Sequence, residues 1–378
     1  MQASITRTPI MGEDDTICLA IELSWTQWLV AAVVPGDGRL SRFSVPARDL
    51  RALLDLINKL RERARRALGR ETAMASCYEA GRDGFWLHRW LLSVGVANLV
   101  FDPASIAVDR RARRAKTDAL DVEMLLRTLL AQRRGEPQVV RVVRAPSEAL
   151  EDARRLERGR ERLVKERTAH INRIKGLLAT LGLEGGRPWR QDWPAWLGEQ
   201  RDWQGQAVAA GLARELLAEH ERLLLVVRQV AEIDALRVAP EQPFAPAIRE
   251  LSRLKGIGPG FASLLGGEVF WKDFKNRREV AGYFGLAPSP WQSGSIARDQ
   301  GISKAGNRRA RHAAVELAWL WLRHQPESAL ARWYKARVGE TKGRVRRIAI
   351  VALARKLMVA LWRFLATGLV PADATLKA

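Results

Sequence analysis

The order of apolar segments in the first third of the chain restricts the fold more than any other feature of the sequence. Three β-rich runs come first and are divided by turn chemistry such as Pro-Gly-Asp-Gly, so we predict three successive antiparallel strands. The segments that follow alternate between helical and strand patterns, and they lie at 47–68 (helix), 72–80 (strand), 84–95 (helix), 97–103 (strand) and 117–132 (helix). This order is that of a ribonuclease-H-like α/β domain, which we place at residues 1–145.

Four acidic residues fall at informative places in this order. Glu22 lies within the first strand and Glu79 ends the fourth. Asp118 and Asp121 lie three residues apart on the last helix and therefore share a helix face. Singly, Asp118 is explained as a helix-start residue and Glu79 as a loop acid, whereas Glu22 is unusual because a buried, unpaired carboxylate is costly. Together they predict a site for Mg²⁺, which prefers oxygen ligands and bridges phosphates.

A basic run precedes the last helix of this domain. Its cations are Arg110, Arg111, Arg113, Arg114 and Lys116. Such a run is either a solvated helix face or a clamp on a nucleic-acid backbone, and the sequence leaves both interpretations open.

The middle of the chain, residues 146–240, is helical. Apolar residues near heptad spacing, from Leu156 to Leu181, predict two long antiparallel helices joined by a Gly-, Pro- and Trp-rich loop. We interpret them as a coiled-coil arm, with a bundle core as the alternative and a role in dimerisation left open. A turn-rich stretch at 239–247 marks the next boundary.

The last part, residues 241–378, begins with the sequence Gly-Ile-Gly-Pro-Gly between two short helices. This pattern is typical of a helix-hairpin-helix, in which Gly256, Gly258 and Gly260 let backbone N–H groups approach a phosphate. An ordinary helix turn is the alternative. Residues 251–311 carry 11 basic and 4 acidic residues, which favours phosphate binding. Two amphipathic helices follow, and we expect Trp319 and Trp321 to be core residues.

The segment 289–311, SPWQSGSIARDQGISKAGNRRAR, places small hydroxyl groups beside Lys and Arg on what we expect to be a flexible loop. Its serines are either solvated turn residues or include one that meets a phosphodiester. A serine hydroxyl needs a base, a metal or a charged environment to act as a nucleophile.

The net charge supports a polyanionic partner. The chain has 63 Lys and Arg against 42 Asp and Glu, a net charge of +21. No apolar run is long enough for a membrane span, and two distant cysteines and five histidines exclude a zinc finger and make a disulfide scaffold improbable. Nucleic acid in a reducing cytoplasm is the expected environment.

With these motifs together, the chain resembles the DEDD-type insertion-sequence transposases, the bridge-RNA-guided serine recombinases of mobile elements. The resemblance rests on the motifs AIELS, YEA, KTDALD, GIGPG, QSGS and ISKAGNRRAR and covers about residues 17–365. It implies a RuvC-like domain, a coiled-coil segment and a C-terminal transposase domain. It also implies dimers or tetramers that act on target and donor DNA with a guide RNA encoded beside the gene.

The resemblance assigns roles to individual residues. It implies that Ser293 is the nucleophile, with Ser295 as the second choice and Ser289 and Ser303 as turn or cap residues. Mg²⁺ would be held by the four carboxylates, and phosphates by Lys304, Arg308, Arg309 and Arg311. One position departs from the family, because Glu22 stands where the family has aspartate. Its longer side chain moves the ligand oxygens by one methylene, so a non-catalytic nucleic-acid-binding protein stays open as one alternative. A metal-dependent nuclease, which would use the four carboxylates and need no serine, is the other.

Overall fold

The computed structural model describes residues 15–36, 39–106, 118–136, 139–237, 239–293 and 296–377. The chain divides into two compact units, residues 1–146 and 147–378. Within the described residues, no helix is both long enough and apolar enough to cross a membrane.

The first unit is built on a five-stranded sheet with the strand order β3-β2-β1-β4-β5. Its elements are β1 (Thr16–Glu22), β2 (Gln27–Val33), β3 (Leu40–Pro46), α1 (Leu50–Leu68), β4 (Ala73–Glu79), α2 (Trp86–Ser93), β5 (Ala97–Phe101) and α3 (Asp118–Arg133). The first three strands pair antiparallel, whereas β4 pairs parallel with both β1 and β5. This confirms the predicted element order and the antiparallel start, and the mixed sheet is compatible with a ribonuclease-H-like domain.

The two faces of this sheet bury different residues of β1, as the alternation of side chains along a strand requires. Ile17, Leu19 and Ile21 pack in one core with residues of α1 and α2. Cys18 and Ala20 pack in a second core with residues of α3. The sheet is therefore covered on both faces, which explains why its central strands are nearly all apolar.

Helix α1 shows how local chemistry sets the element boundaries. Asp49 caps its start by accepting a hydrogen bond from the backbone N–H of Ala52 at 2.9 Å. Gly69 ends it in the left-handed conformation with φ 70°, and its N–H donates to the carbonyl of Arg65. Between these ends Leu53, Ile57 and Leu60 form the buried stripe.

The second unit is mostly helical. Its elements are α4 (Glu148–Ala179), α5 (Trp193–Glu199), α6 (Ala210–Arg237), α7 (Ala245–Ser252), α8 (Pro259–Glu268), α9 (Arg277–Tyr283), β6 (Pro288–Ser293), β7 (Ile296–Ile302), α10 (Arg308–His324), α11 (Ala329–Val338) and α12 (Arg344–Thr367). Helices α4 and α6 pack together along their length and run antiparallel. The predicted division of this unit into an arm and a separate C-terminal domain stays a prediction.

Four features of the second unit differ from the sequence expectations. The segment expected to be a flexible loop contains a β-hairpin, β6–β7, followed by the start of α10. Helix α5 interrupts the loop predicted between the arm helices, and α11 was not predicted. Trp321 is buried as expected, but Trp319 is 38% exposed, because only one of two tryptophans two residues apart can face the core of a helix.

The seam between α4 and α6 is more polar than the heptad pattern indicated. Arg237 donates to both oxygens of the buried carboxylate of Glu157, at 2.6 and 2.8 Å. Farther along, Arg160 pairs with Asp234, and His170 contacts Glu219 at 2.6 Å. Ion pairs therefore contribute to this part of the seam, which the apolar stripe did not indicate.

Candidate functional site

Glu22 and Glu79 lie at the same edge of the sheet and on the same face. Each is the last residue of its strand, and the parallel register pairs the residues before them, Ile21 with Tyr78. Glu22 is two residues beyond Ala20, and Glu79 is two beyond Cys77. Both Ala20 and Cys77 belong to the core under α3. Because every second side chain of a strand points to one face, the two glutamates project on the α3 side.

The direction of α3 brings its first turn to this edge. Arg133, at the end of α3, donates from Nη2 to Oγ1 of Thr16 at the start of β1, at 2.9 Å. In the middle of the helix, Cys77 Sγ lies 3.5 Å from the carbonyl oxygen of Leu125. Helix α3 therefore runs opposite to β1 and β4, and its beginning lies where those strands end.

Distances along the elements bring the aspartates level with the glutamates. From Leu125 back to Asp121 the helix rises about 6 Å, at 1.5 Å per residue. From Cys77 on to Glu79 the strand rises about 7 Å, at 3.3 Å per residue. These lengths place the first turn of α3 at about the level of the ends of β1 and β4, and the convergence of the four acids on one site stays a prediction.

Asp118 and Asp121 stand on the face of α3 that packs on the sheet. Val122 and Leu125 are buried, and they lie four residues after Asp118 and Asp121 respectively. Asp118 is exposed and Asp121 is half-buried. Because both are in the first turn, the positive end of the helix dipole offsets part of the repulsion among neighbouring carboxylates.

Glu22 needs a correction. The sequence placed it within an apolar strand as a buried, unpaired acid, whereas it ends β1 and is half-buried. Both Glu22 and Glu79 also take part in interactions within the chain. The expected cost of an isolated buried charge therefore does not arise, because the strand ends at the surface.

The donor chemistry of the four acids suits a hard divalent cation, since all four offer carboxylate oxygens. Within the described ranges, no group of three or more His, Cys, Asp or Glu side chains is arranged to hold a metal ion. Mg²⁺ binding by this edge therefore stays a prediction. The basic run Arg110, Arg111, Arg113, Arg114 and Lys116 lies outside the described residues.

Ser293 ends β6 at the tip of the hairpin. Its register partner is Ile296, so the connection is the two-residue Gly294-Ser295, which lies outside the described residues. Ser293 is exposed. A two-residue connection between paired antiparallel strands is common in hairpins. Its placement is therefore more defined than that of a loop serine.

The cations that follow the hairpin divide into two kinds. Arg308 and Lys304 are exposed, and Lys304 has a left-handed backbone with φ 56°. Arg311 instead donates from Nη1 to the carbonyl oxygens of Phe284 and Lys304, at 3.1 and 3.0 Å. Only the first two are placed to meet a phosphate without giving up a contact within the chain.

Arg309 has an internal role. Its guanidinium pairs with Glu161 and, at 3.3 Å, with the fully buried Glu268. Arg154 and Arg158 reach the same Glu268 carboxylate at 3.0 and 3.5 Å. Burial alone would raise the pKa of Glu268, but the three arginines outweigh it and hold the pKa below its ordinary value. The structure therefore assigns Arg309 to packing, against the phosphate-binding role implied by the resemblance.

The motif around these residues is also partly structural. Asn307 caps α10 by accepting from the backbone N–H groups of Arg309 and Ala310, at 3.0 and 3.1 Å. A side chain at Gly306 would lie 2.5 Å from the carbonyl oxygen of Tyr283. The sequence Ala-Gly-Asn thus sets the start of α10 against α9.

The glycines of the Gly-Ile-Gly-Pro-Gly turn differ in their surroundings. Gly256 has φ 89°, and a β-carbon there would lie 2.7 Å from Cβ of His324. Gly258 precedes α8 as its N-cap, and Gly260 is exposed in the first turn. Gly256 is therefore required by packing and backbone geometry, whereas Gly258 and Gly260 leave the start of α8 open to an anion.

One set of basic residues was missed by the sequence interpretation, which described α12 only as an amphipathic helix. This helix has six Lys or Arg residues and no Asp or Glu over its 24 residues. The absence of Asp and Glu from this stretch of sequence could have identified it as a basic surface.

Two ranges of the chain match models of known protein families. Residues 24–182 match the DEDD transposase family model of the IS110 type, and residues 248–333 match the model described as Transposase IS116/IS110/IS902 family. The first range includes Glu79, Asp118 and Asp121 but begins after Glu22, and the second includes Ser293.

Individual relatives agree with the family models. The chain is 45% identical to the putative transposase y4rJ of Sinorhizobium fredii, over 98% of this chain and 97% of that protein. It is 28% identical to a probable family 20 transposase of Pseudomonas aeruginosa, over 66% of this chain and 72% of that one. It is 29% identical to the transposase for insertion sequence element IS1111A of Coxiella burnetii, over 60% of this chain and 62% of that one.

Proposed function

The chain belongs to the IS116/IS110/IS902 family of transposases, and from that premise we propose that it cuts and rejoins DNA through a serine–phosphate intermediate. The observation that carries this proposal is the position of Ser293, exposed at the end of a paired strand and followed closely by cations. A hydroxyl so placed can approach a phosphodiester without distortion of the surrounding fold.

The proposed step exchanges one phosphoester for another. Ser293 Oγ bonds to phosphorus, the bond from phosphorus to the 3′ oxygen breaks, and that oxygen takes up the proton that the hydroxyl releases. The products are a phosphoserine and a free 3′-hydroxyl. Because one phosphoester bond forms for each one that breaks, the reverse reaction with a new 3′-hydroxyl rejoins DNA without ATP.

The acids of the first unit supply the second part of the proposal. Glu22, Glu79, Asp118 and Asp121 would hold Mg²⁺, which when bound offers charge to the phosphoryl oxygens and to the leaving oxygen. The first turn of α3 keeps the two aspartates directed toward the ends of β1 and β4. The resemblance to the DEDD pattern and the convergence on one sheet edge support this assignment.

Contacts to the nucleic-acid backbone are proposed at two places in the second unit. The start of α8, with Gly258 and Gly260, offers unpaired N–H groups as in a helix-hairpin-helix. Lys304 and Arg308 lie just beyond the hairpin that carries Ser293. We expect these contacts to position the strand and not to read its sequence.

Partners beyond DNA come from the resemblance alone. We propose that a guide RNA encoded beside the gene selects target and donor DNA, and that dimers or tetramers form, with the α4–α6 pair as a coiled-coil arm. Inspection of the DNA that flanks the gene for a structured non-coding segment tests the first proposal. Sedimentation with and without that RNA tests the second.

One experiment separates this function from its alternatives. Purified protein is incubated with Mg²⁺, the RNA encoded beside the gene and the DNA with which that RNA pairs, and the products are resolved with and without protease. A covalent protein–DNA adduct is expected for the proposed transposase. Free 5′-phosphate ends without an adduct indicate a metal-dependent nuclease, and intact bound DNA indicates a non-catalytic binding protein.

A further inference from the structure

A groove in the second unit combines positive walls with an apolar floor. Its volume is about 1250 Å³, and the described residues that line it include eight Lys or Arg and no Asp or Glu. The cations come from α9, from α12 and from Lys304 beyond the hairpin. Such a charge distribution selects a polyanion.

The main wall is one face of α12. Arg347, Arg355 and Arg363 all line the groove, although each step of eight residues turns the next side chain by about 80° around the helix. At 1.5 Å per residue they span about 24 Å. The opposite face, with Leu353, Leu357 and Leu361, is buried in the core. The arginines therefore belong to an outer face that core packing does not explain.

These three arginines differ in their partners from several buried and half-buried arginines of the unit. Arg154, Arg237 and Arg309 each pair with a carboxylate. Among the described residues, the three along α12 have no such partner, and Arg355 is half-buried. An anionic ligand would supply the counter-charges that the described residues do not offer these arginines.

The apolar side chains on the floor of the groove favour a single strand over a duplex. Ile348 is 58% exposed and Leu369 is 70% exposed, and both line the groove. A duplex presents mainly phosphates and sugars to a concave surface because its base faces are stacked inside. A single strand also presents base faces, which gain from contact with apolar side chains.

We propose that this groove binds single-stranded DNA, with phosphates against Arg347, Arg355 and Arg363 and bases on the apolar floor. The span of the three arginines corresponds to about seven nucleotides of a stacked strand at 3.4 Å each. Pro288 and Ile302, which pair at the base of the hairpin, also line the groove. Ser293 lies five residues farther along β6, about 17 Å away. The groove thus retains a strand near the cutting serine, and this placement relative to cleavage rests on the proposed function.

The test measures binding without cleavage. Fluorescence anisotropy in EDTA, between 50 and 200 mM KCl, compares a 12-nucleotide DNA strand, the same strand as RNA, and the 12-base-pair DNA duplex. Neutralising Arg347, Arg355 and Arg363 together to Gln is expected to weaken binding of the DNA strand at least tenfold. The slope of log affinity against log salt is expected to fall by about 2, since each phosphate contact contributes about 0.7.

Two further variants make the result specific. A control that neutralises Lys175, Arg214 and Arg337, exposed cations outside the groove, is expected to change binding less than threefold. Ile348→Ser is expected to weaken binding of the DNA strand severalfold with an unchanged salt slope, and duplex binding is expected to stay within about threefold for every variant. Thermal melting within a few degrees of the parent protein confirms that each variant folds.

Three results would overturn the inference. One is an unchanged affinity of the groove variant for the DNA strand, and another is an equal loss of affinity in the control variant. The third is a loss of affinity that is as large for the duplex or is confined to the RNA strand. Ser293→Ala separates this inference from the proposed function. It is expected to bind the DNA strand normally while forming no covalent adduct. Absence of an adduct in the parent protein would contradict the serine chemistry and leave the groove measurement intact.

Discussion

Arg133 Nη2, at the end of α3, donates a hydrogen bond to Thr16 Oγ1, at the start of β1, across 117 positions of sequence. This contact fixes the direction of α3 against the central strand. With α3 antiparallel to β1, the first turn of the helix reaches the edge at which Glu22 and Glu79 end their strands. The proposed arrangement of the four acids depends on this direction.

Asp118→Ala and Asp121→Ala are each expected to abolish strand cleavage by the transposase and to leave its folding nearly intact. Removing one acid from a group of like charges relieves repulsion, so stability should change by less than about 1 kcal/mol. Gel assays of cleavage and chemical denaturation measure the two effects. Asp55→Asn, an exposed acid on α1, serves as the control and should retain activity. Cleavage by either alanine variant would remove that residue from the site.

Glu22→Asp tests whether the site has adapted to the longer side chain. We expect lower activity than in the parent protein, because the end of a strand shifts by one methylene more readily than a whole site is rebuilt. Initial rates of strand cleavage at several Mg²⁺ concentrations give the comparison. Equal or higher activity would instead show that glutamate misplaces the metal. Inactivity of both forms with intact DNA binding would favour the non-catalytic alternative.

Ser293→Ala is expected to eliminate the covalent adduct, whereas Ser289→Ala, the same change earlier on β6, should preserve it. We also predict that Ser293 acts together with the carboxylates of another protomer, which the α4–α6 pair, with helices of 32 and 28 residues that are about 48 and 42 Å long, would bring within reach. A mixture of Ser293→Ala and Asp118→Ala proteins should then regain partial recombination. The adduct should form only on the protomer that keeps Ser293. A mixture that assembles on DNA and stays inactive would place the whole site within one chain.

The basic run before α3 is expected to contribute to backbone binding. Neutralising Arg110, Arg111, Arg113 and Arg114 together should reduce the salt slope for duplex DNA by about 3 to 4, at about 0.9 per phosphate contact. Affinity measured at several KCl concentrations provides the slope. An unchanged slope would show that these residues form only a solvated face.

Glu268→Gln is expected to destabilise the second unit by about 1–3 kcal/mol, because it leaves the half-buried guanidinium groups of Arg154 and Arg309 without this carboxylate. Glu340→Gln, at an exposed glutamate, should change stability by less than about 0.5 kcal/mol. Denaturant titration of both variants gives the comparison.

The same carboxylate predicts a pH dependence. Since the pKa of Glu268 is lowered in the folded state, its stabilisation is complete above the unfolded pKa of about 4.3 and is lost as pH falls through the folded pKa. The difference in stability between the parent and Glu268→Gln should be constant from pH 7 to 5 and shrink below about pH 4. A difference that is independent of pH would assign the effect to packing.

Sequence alone determined the elements of the first unit and their order. Apolar runs of strand length, turn residues and helical spacing are local signals, and they identified β1 to β5, α1 and the position of Asp118 and Asp121 on α3. The charge of +21 and the scattered motifs likewise indicated an enzyme that acts on nucleic acid. These properties are readable because they depend on composition or on residues that are close in the chain.

Tertiary structure decided which charged residues remain available. Arg308 and Arg309 are equivalent in the sequence, but Arg309 pairs with Glu268, 41 residues earlier, whereas Arg308 is exposed. In the same way, the cations of α12 line a groove only because α9 and the base of the hairpin pack beside them. Pairing and enclosure arise from contacts between distant segments, whose partners no local pattern specifies. The burial of a charge, and therefore its freedom to bind DNA, was fixed only by the packed fold.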